Sequence, residues 1–465
     1  MKNVQKHRKK SKSIEKHQKI AKMIKILRKS IGFCLTFRSN CGILIIVDYL
    51  KKGKGKPMLI GNAIVGQSGG PSSAINATLS GVIRGASKSD KIARLYGMKN
   101  GIEGFLKEEL VDLTYLYGDE EKLSLLETTP ASALGSCRIK LPNLDTSSDI
   151  FEKIFEIFKK FDIKYFFYIG GNDSMDTVYK LSEYAKTIDY EIEIVGVPKT
   201  IDNDLPCTDH TPGYGSAAKF IATAVSEIAT DCAVYTVKAV TIVEAMGRDA
   251  GWLAASAALA KEYNGMGADL IYLPERPFYD NEFISSVEKC FETHPNVVVV
   301  VSEGIRYENG EYVGSGKQNG MVDVFGHRYL AGTAKTLESL VKAEIGCKVR
   351  SVELNLLQRC SSHILSATDI EESVKVGEKA VQYALDGETG IMLVFERVPG
   401  DEYKIEISRV SITDVANKVK FVPKSFINEE GNNVTKECID YISPLVLGEK
   451  EIKYQNGVPV HIRLK

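Results

Sequence analysis

One short segment of this chain combines a lysine, a hydroxyl group and two carboxylates. Residues 198–204 read Pro-Lys-Thr-Ile-Asp-Asn-Asp, and residues 170–173 upstream read Gly-Gly-Asn-Asp. An ammonium group binds phosphate oxygens, carboxylates bind Mg²⁺, and a carboxylate within hydrogen-bond reach removes the proton of a hydroxyl. Together these groups predict phosphoryl transfer.

The two aspartates of this segment, Asp202 and Asp204, alternate about Asn203. In an extended backbone alternate side chains lie on one face, so we expect the two carboxylates to lie together. One would act as a base and the other would hold a metal ion. The segment alone leaves a second interpretation open, in which it is an Asp/Asn-rich turn that caps a helix.

Two glycine turns each follow a predicted strand and open a predicted helix. Residues 67–72 read Gln-Ser-Gly-Gly-Pro-Ser, and residues 170–174 read Gly-Gly-Asn-Asp-Ser, with Asp173 or Ser174 as the expected N-cap. Backbone NH groups at the start of a helix bind phosphate, although glycine also serves simple chain reversal. Two such turns at the carboxyl ends of parallel strands favour a ligand site there.

Other candidate residues carry information only as a set. Guanidinium groups bind phosphate through paired hydrogen bonds, and a carboxylate after a strand is well placed to meet a ligand. The candidates are Arg138, Arg248, Glu303, Arg350 and Arg359. The histidines show no metal-ligand spacing, so we expect them on the surface or in loops. Examples are His210, His327 and His363.

The elements that must position these residues alternate from residue 58 onward. Short β-branched apolar runs alternate with segments whose apolar residues recur every three or four positions, which predicts a parallel-sheet α/β fold. The predicted strands are residues 62–66, 165–169, 192–197, 237–244, 297–301, 349–357 and 390–395. The predicted helices are residues 72–85, 174–185, 249–260, 335–345 and 369–385. The predicted loops between structural units lie near residues 211–216 and 309–320.

The composition is typical of a globular enzyme but hides an asymmetry of charge. The 465 residues are 44% hydrophobic and 26% charged, with a formal net charge of zero. Residues 1–57 hold seventeen Lys and Arg against two acidic residues, so about fifteen positive charges there balance the rest of the chain. Nine cysteines without a C-x-x-C pair favour a reduced, cytoplasmic compartment. No apolar run is long enough to predict a membrane span.

The basic leader, residues 1–57, has two interpretations. A Lys/Arg-rich arm can bind nucleic acid or a membrane surface. Alternatively, translation naturally starts at Met58, where a first predicted strand follows at once, and the leader has no role in the chemistry. We favour the second interpretation and expect neither a nucleic-acid nor a membrane partner. An intact Met1 on protein from its native cell would contradict the interpretation that translation starts at Met58.

The ordered motifs resemble those of the 6-phosphofructokinase family from residue 58 to about residue 395. The shared motifs are Gly69-Gly70, Gly135-Ser136-Cys137-Arg138, Gly170-Gly171-Asn172-Asp173, Thr200-Ile201-Asp202-Asn203-Asp204, Met246-Gly247-Arg248, Glu303 and Gln358-Arg359. Each is weak alone, but their order along one chain is specific. The resemblance implies phosphoryl transfer to the 1-hydroxyl of fructose 6-phosphate, in glycolysis or gluconeogenesis.

The resemblance also implies a role for each candidate residue. Asp202 removes the hydroxyl proton, Thr200 hydrogen-bonds the reacting region, and Asp204 with Asn172 holds Mg²⁺. The catalytic set is Asp202, Thr200, Arg248 and Lys199. The donor-binding set is Gly69, Gly70, Arg138, Asp173 and Lys199. The sugar-phosphate-binding set is Thr200, Asp202, Met246, Gly247, Arg248, Glu303, Arg350 and Arg359.

The implied architecture is two Rossmann-like three-layer α/β domains with mainly parallel sheets and the active site in the cleft between them. Residues 58–213 would form the domain that binds the phosphate donor, and residues 214–357 the domain that binds the sugar phosphate. Residues 358–465 would return to both, and residues 1–57 would stay outside the catalytic fold. Because Arg350 looks like the arginine that this family donates to a neighbouring subunit, we expect a homodimer or homotetramer.

Two positions indicate the donor. ATP-using relatives typically carry glycine where this chain has Asp173 and Lys199, whereas pyrophosphate-using relatives carry Asp and Lys. A carboxylate at Asp173 would crowd and repel an α-phosphate, while the Lys199 ammonium pairs with a short, highly charged donor. Asp176 and Thr177 are also bulkier than the residues that border adenine in many ATP-using relatives. The resemblance therefore predicts pyrophosphate as the donor, in a reversible reaction.

Three positions depart from the family pattern. Asn172 stands where many relatives have a metal-binding Asp, Ala239 where many have an inter-subunit Arg, and Leu356 where many have His or Tyr. These changes bear on magnesium coordination and on affinity for the sugar phosphate. Two alternatives stay open: an ATP-dependent phosphofructokinase, and a non-catalytic regulatory subunit, which predicts the loss of catalytic groups.

Overall fold

The computed structural model describes residues 59–137, 139–145, 149–316 and 332–464. They belong to one unit that spans Met58–Lys465. The basic leader, Arg138 and His327 lie outside the described residues, so the structure does not test our interpretations of them. No helix within the described ranges is long and apolar enough to cross a membrane.

The strands are short and most of them are apolar. They are β1 (Gly61–Gln67), β2 (Ile92–Met98), β3 (Leu110–Asp112), β4 (Ile163–Gly170), β5 (Glu193–Pro198), β6 (Ala239–Ala245), β7 (Leu270–Tyr272), β8 (Asn296–Ser302), β9 (Lys348–Glu353), β10 (Ile391–Arg397), β11 (Ile405–Ser411), β12 (Tyr454–Gln455) and β13 (Val458–Pro459).

The α-helices alternate with these strands along most of the chain. They are α1 (Ile75–Ser87), α2 (Gly101–Phe105), α3 (Glu120–Glu127), α4 (Asp149–Lys160), α5 (Asn172–Thr187), α6 (Tyr214–Cys232), α7 (Trp252–Ala255), α8 (Ala258–Asn264), α9 (Asp280–Cys290), α10 (Thr333–Glu344), α11 (Leu357–Cys360), α12 (Ala367–Leu385) and α13 (Lys436–Ile442).

Two mainly parallel sheets form the framework. The first has seven strands in the order β11-β10-β5-β4-β1-β2-β3, and the second has four in the order β7-β8-β6-β9. In the first sheet the strands from β10 to β2 run parallel and the edge strands β11 and β3 run antiparallel, while the second sheet is wholly parallel. The predicted α/β fold with mainly parallel sheets is confirmed.

Burial explains why the central strands read as continuous apolar runs. Tyr165, Phe166 and Phe167 of β4 are all buried, because helices cover both faces of the sheet. Helices α1 and α12 approach closely where Gly81 meets Gly377, and a Cβ on Gly81 would lie 2.0 Å from the carbonyl oxygen of Val374. Glycine is therefore required at this helix crossing.

Three predicted elements differ from the structure, and in two of them a partner distant in sequence caps the start of a helix. Strand β9 ends at Glu353, so the predicted strand 349–357 is too long. The predicted helix 249–260 is split into α7 and α8, and the amide of Gly251 just before α7 donates to the carboxylate of Glu275, at 2.9 Å. Helix α6 begins within the predicted loop 211–216, because Asp369 accepts hydrogen bonds from the amides at the start of that helix.

The prediction that His210 lies on the surface or in an exposed loop is wrong. Its side chain is 2% exposed, and its two ring nitrogens lie 2.9 Å from Asp209 and 2.8 Å from Glu372. Burial alone would lower the pKa of His210, but hydrogen bonds and charge from the two carboxylates outweigh burial and raise it. His363, in contrast, is exposed as predicted.

We expect the stabilisation that His210 provides to decline as the pH rises. Because its folded-state pKa is raised above 6.5, the contribution is complete below that pH and is lost as the pH passes the folded-state pKa. Within that window the free energy of unfolding should fall, relative to that of His210→Gln, by at most about 1.4 kcal/mol per pH unit. Unfolding of both proteins across neutral pH measures the difference. Parallel pH profiles would contradict the expectation.

Candidate active site

The order of the strands places a crevice beside β1. Strand β1 lies between β2 and β4, where the order of the first sheet reverses, and such switch points open a crevice at the carboxyl ends of the strands. The Lys199 amide, just after β5, donates to the Gly170 carbonyl at 2.9 Å, and the Lys199 ammonium donates to the Gly70 carbonyl. The structure thus brings both glycine turns and the start of the 198–204 loop together.

The turn after β1 uses glycines for conformation and for close approach. Gly69 has φ of 77°, a left-handed conformation that favours glycine, and its carbonyl accepts a hydrogen bond from the Ser136 hydroxyl at 2.6 Å. A Cβ on Gly70 would lie 3.3 Å from a guanidinium nitrogen of Arg359. This turn therefore places Gly70 of the predicted donor-binding set next to Arg359 of the predicted sugar-phosphate-binding set.

The turn after β4 leads directly into α5. Gly171 is the N-cap of this helix, so the predicted N-cap at Asp173 or Ser174 is wrong. The Gly171 carbonyl accepts the first hydrogen bonds of the helix, from the amides of Ser174 and Met175 at 3.0 Å, and the Ser174 side chain packs against Gly170. Asp173 lies in the first turn of the helix with its carboxylate 3.9 Å from the Lys140 ammonium.

The amide side chain of Asn172 faces the C-terminal part of the chain. Its nitrogen donates to the Lys418 carbonyl and its oxygen accepts from the Asn417 amide, both at 2.6 Å. The Asn417 side chain also donates to Asp176 at 3.0 Å. Residues 417–418 therefore cover the start of α5 beside the predicted metal and donor residues.

The loop that holds Asp202 and Asp204 is a turn. Asn203 has φ of 52°, so the extended backbone that we predicted is wrong. The Thr200 hydroxyl accepts a hydrogen bond from the Asp202 amide at 3.1 Å and hydrogen-bonds the Asp204 carboxylate. A local side-chain hydrogen bond of this kind stabilises a turn against the extended conformation. The turn still leaves the two carboxylates close enough to affect one another.

Both carboxylates of this loop resist ionisation. Burial, followed by the charge of Asp204, raises the pKa of Asp202, while Lys199 and Arg248 oppose that rise. Burial also raises the pKa of Asp204. When both neighbouring carboxylates are ionised they repel one another, and a bound cation would relieve that repulsion. The donor set fits Mg²⁺, which prefers carboxylate and phosphate oxygens.

The protein alone does not supply a complete metal cage. Within the described ranges, no group of three or more His, Cys, Asp or Glu side chains is arranged to hold an ion. An ion at Asp204 would therefore take its other ligands from phosphate oxygens and water, as Mg²⁺ commonly does in phosphoryl-transfer sites.

The turn after β6 builds the opposite wall. The Gly247 amide donates to Glu303 at 3.3 Å, and the Met246 amide donates to Gln358 at 3.1 Å. Burial, followed by the charge of Asp202, raises the pKa of Glu303 to about 7, while Arg248 opposes that rise. Glu303, Arg248 and Asp202 therefore lie within each other's electrostatic reach.

Arg248 has an unused donor at this wall. Its Nε atom is buried and has no hydrogen-bond partner among the residues that the structure describes. Since buried polar groups are nearly always paired in native proteins, Arg248 keeps a hydrogen-bond donor that no described residue uses.

Arg350 lies away from the site of its own chain. It pairs with Thr241 in the middle of β9 and lines a small cavity with Val237 and Ala239 near the start of β6. The structure brings the other described candidates to the carboxyl ends of the strands, and it does not bring Arg350 there.

Sequence analysis did not identify three residues that lie beside the site. Lys420 and Tyr441 hydrogen-bond the side chain of Asn203, and Trp252 lies against both of them. Burial lowers the pKa of Lys420 to about 7, against the charges of Asp209 and Asp204. No motif marks these residues, because their partners lie far away in the sequence.

Known proteins are similar to this chain along most of its length. A family model described as phosphofructokinase matches residues 62–384. Proteins named pyrophosphate–fructose 6-phosphate 1-phosphotransferase are 41% identical in Halomonas elongata, over 86% of this chain and 94% of that protein, and 42% identical in Xanthomonas campestris pv. campestris, over 88% and 97%.

Solved structures agree with these matches. The crystal structure of a pyrophosphate-dependent phosphofructokinase from Nitrosospira multiformis has a TM-score of 0.79 at 38% identity, over 87% of this chain and 97% of that one. A protein of the same description from Marinobacter aquaeolei has a TM-score of 0.77 at 40% identity, over 86% and 95%. With this similarity along most of its length, the chain belongs to the phosphofructokinase family.

Proposed function

We propose that this chain transfers a phosphoryl group from pyrophosphate to the 1-hydroxyl of fructose 6-phosphate. The products are fructose 1,6-bisphosphate and phosphate, and the reaction is reversible. The observation that carries the proposal is the grouping of Asp202 with Asp204, Lys199 and Arg248 at the carboxyl ends of the strands. The relatives described above are named for this reaction.

Asp202 is the proposed general base. It accepts the proton of the 1-hydroxyl while that oxygen forms a bond to the nearer phosphorus of pyrophosphate, and the bond from that phosphorus to the bridging oxygen breaks. The bridging oxygen leaves with the free phosphate. Because the carboxylate of Asp202 already resists ionisation, its affinity for a proton suits it to this step.

Two cations would stabilise the charge that spreads over the phosphate oxygens during transfer. Lys199 lies beside the Gly69–Gly70 turn, and Arg248, at the other wall, is close enough for its charge to act on Asp202. Preorganised cations of this kind act without rearrangement at the moment of reaction. Thr200 would hold the Asp204 carboxylate in place through its hydroxyl.

Asp204 is the proposed protein ligand of Mg²⁺. When bound, the ion would neutralise charge on the donor phosphates. The proposed second ligand, Asn172, already uses its side-chain oxygen to accept a hydrogen bond from the Asn417 amide. We therefore expect Asn172 to contribute less to magnesium affinity than Asp204 does.

The proposed organisation follows the two sheets. Within the described residues, the first sheet takes its strands from residues 61–198 and 391–411, and the second from residues 239–353. This supports, as a proposal, a donor domain at 58–213, a sugar-phosphate domain at 214–357 and a returning segment at 358–465. Arg350, on an edge strand, would serve a neighbouring copy in a homodimer or homotetramer in the cytoplasm.

A direct assay tests the proposed reaction. We expect the purified chain with fructose 6-phosphate and Mg²⁺ to form fructose 1,6-bisphosphate rapidly from pyrophosphate and far more slowly from ATP. A coupled spectrophotometric assay with each donor in turn measures both rates. Activity with ATP and none with pyrophosphate would favour the ATP-dependent alternative, and a folded protein inactive with both would favour the regulatory subunit.

A further inference from the structure

Asn203, the residue between the two aspartates, is held by hydrogen bonds to both polar atoms of its side chain. Asn203 is fully buried in its left-handed conformation. Its amide nitrogen donates to the Tyr441 hydroxyl at 3.0 Å, and its amide oxygen accepts from the Lys420 ammonium at 3.1 Å. Asparagine adopts this backbone conformation more readily than most residues, but neighbouring contacts must still select it.

The Lys420 ammonium contacts backbone carbonyls on the same side of the loop. It donates to the carbonyls of Thr208 and Asp209 at 3.2 and 2.8 Å, and it lies 5.2 Å from the centre of the Trp252 ring. Carbonyl oxygens and an aromatic face both attract a cation. One ammonium thus joins the Asn203 side chain to the segment that follows the loop.

The backbone of Lys420 holds Asp204 directly. The Lys420 amide donates to the Asp204 carbonyl at 2.7 Å, and the Lys420 carbonyl accepts from the Trp252 indole at 3.1 Å. The Lys420 side chain and backbone therefore fix two consecutive residues of the loop, Asn203 and Asp204.

Tyr441 completes the support. Its hydroxyl donates to the Asp209 carbonyl at 2.5 Å while it accepts from Asn203, and its ring packs on Trp252 with a centroid distance of 5.2 Å. Asn203, Tyr441, Asp209 and Lys420 thus form a closed ring of hydrogen bonds. Such a ring selects one conformation more strongly than its separate bonds do.

We propose that Lys420 and Tyr441 are positioning residues for phosphoryl transfer, because they hold Asn203 in the turn that orients Asp202 and Asp204 towards the reactants. This inference rests on the proposed function, which assigns the two aspartates their roles. Neither residue touches a reacting atom, so both act through Asn203. A displacement of about 1 Å in a catalytic group can slow a reaction by about 10²-fold.

The test compares Lys420→Met with Lys219→Met. Lys219 is a matched control, because its ammonium also donates to two backbone carbonyls, those of Leu365 and Gly448, and its third partner is Glu449 and not a residue of the loop. We expect Lys420→Met to lower kcat by about 10- to 100-fold with KM for both substrates changed by less than about threefold. Lys219→Met should keep its kcat. Equal kcat values for two folded variants would overturn the proposal.

A coupling experiment separates positioning from a general loss of stability. Asn203→Gly permits the same backbone conformation but removes both side-chain hydrogen bonds. If Lys420 and Tyr441 act through Asn203, then Lys420→Met and Tyr441→Phe should each lower kcat much less in the Asn203→Gly background than in the wild type. If each substitution instead lowers kcat by the same factor in the Asn203→Gly background as in the wild type, the proposal is overturned. Tyr441→Phe, which loses only a hydroxyl, keeps this test available if Lys420→Met does not fold.

Hydrogen exchange gives a readout that does not depend on activity. Amides of residues 200–204 should exchange faster in Lys420→Met and Tyr441→Phe than in the wild type, and those in Lys219→Met should not. Unchanged exchange in all variants would contradict the positioning role. A wild-type protein that is inactive with pyrophosphate would instead contradict the proposed function, and the exchange result would still decide whether Lys420 and Tyr441 hold the loop.

Discussion

Replacing Asp202 by asparagine should lower kcat by about 10²-fold or more, because the amide cannot accept the proton of the 1-hydroxyl. The change is nearly isosteric, so the Thr200 hydroxyl can still accept a hydrogen bond from the backbone amide of residue 202. KM for both substrates should change little if Asp202 acts mainly in the transition state. Steady-state kinetics with pyrophosphate and fructose 6-phosphate measures this directly.

The same variant should be at least as stable as the wild type. Burial and the charge of Asp204 raise the pKa of Asp202, so the ionised carboxylate opposes folding at neutral pH and a neutral amide removes that penalty. Thermal unfolding checks the direction. Asp249→Asn is the control for this comparison of stability. Asp249 also raises the pKa of Asp202, but its side chain is exposed and paired with Arg306, so it carries no comparable burial penalty. Near-normal turnover in Asp202→Asn would remove Asp202 from its role.

The convergence of the glycine turns could be predicted because it depends on strand direction. Apolar runs such as β4 and β5 read as buried parallel strands, and parallel strands bring their carboxyl ends to one edge. Gly70, Gly170 and Lys199, which end or follow three of these strands, meet there in the structure.

Edge strands and capped turns could not be predicted in the same way. Strand β11 has no buried residue, so its alternating pattern lacks the apolar run that marks a central strand. The start of α6 depends on Asp369, and the turn at Asn203 depends on Lys420 and Tyr441. These partners come from other parts of the chain, so local sequence cannot reveal them.

The donor is expected to change when Asp173 and Lys199 are both replaced by glycine. Lys199 is 3% exposed beside the Gly69–Gly70 turn, so its loss removes a buried cation from the position proposed for a short donor. Hydrogen bonds to charged groups contribute about 1.5–3 kcal/mol, so kcat/KM for pyrophosphate should fall by about 10- to 150-fold. The loss of the Asp173 carboxylate should also permit some use of ATP, because it removes repulsion of an α-phosphate.

A second double variant on α5 shows whether these effects are local. Glu183 and Lys186 form an exposed ion pair of 2.6 Å near the other end of α5, so Glu183→Gly with Lys186→Gly removes one charge of each sign without touching the site. It should keep the preference for pyrophosphate even if its glycines lower stability. If the Asp173→Gly/Lys199→Gly variant kept undiminished pyrophosphate activity and gained none with ATP, these two charges would not select the donor. The next candidates for selecting the donor would then be Asp176 and residues 417–418, which cover the start of α5.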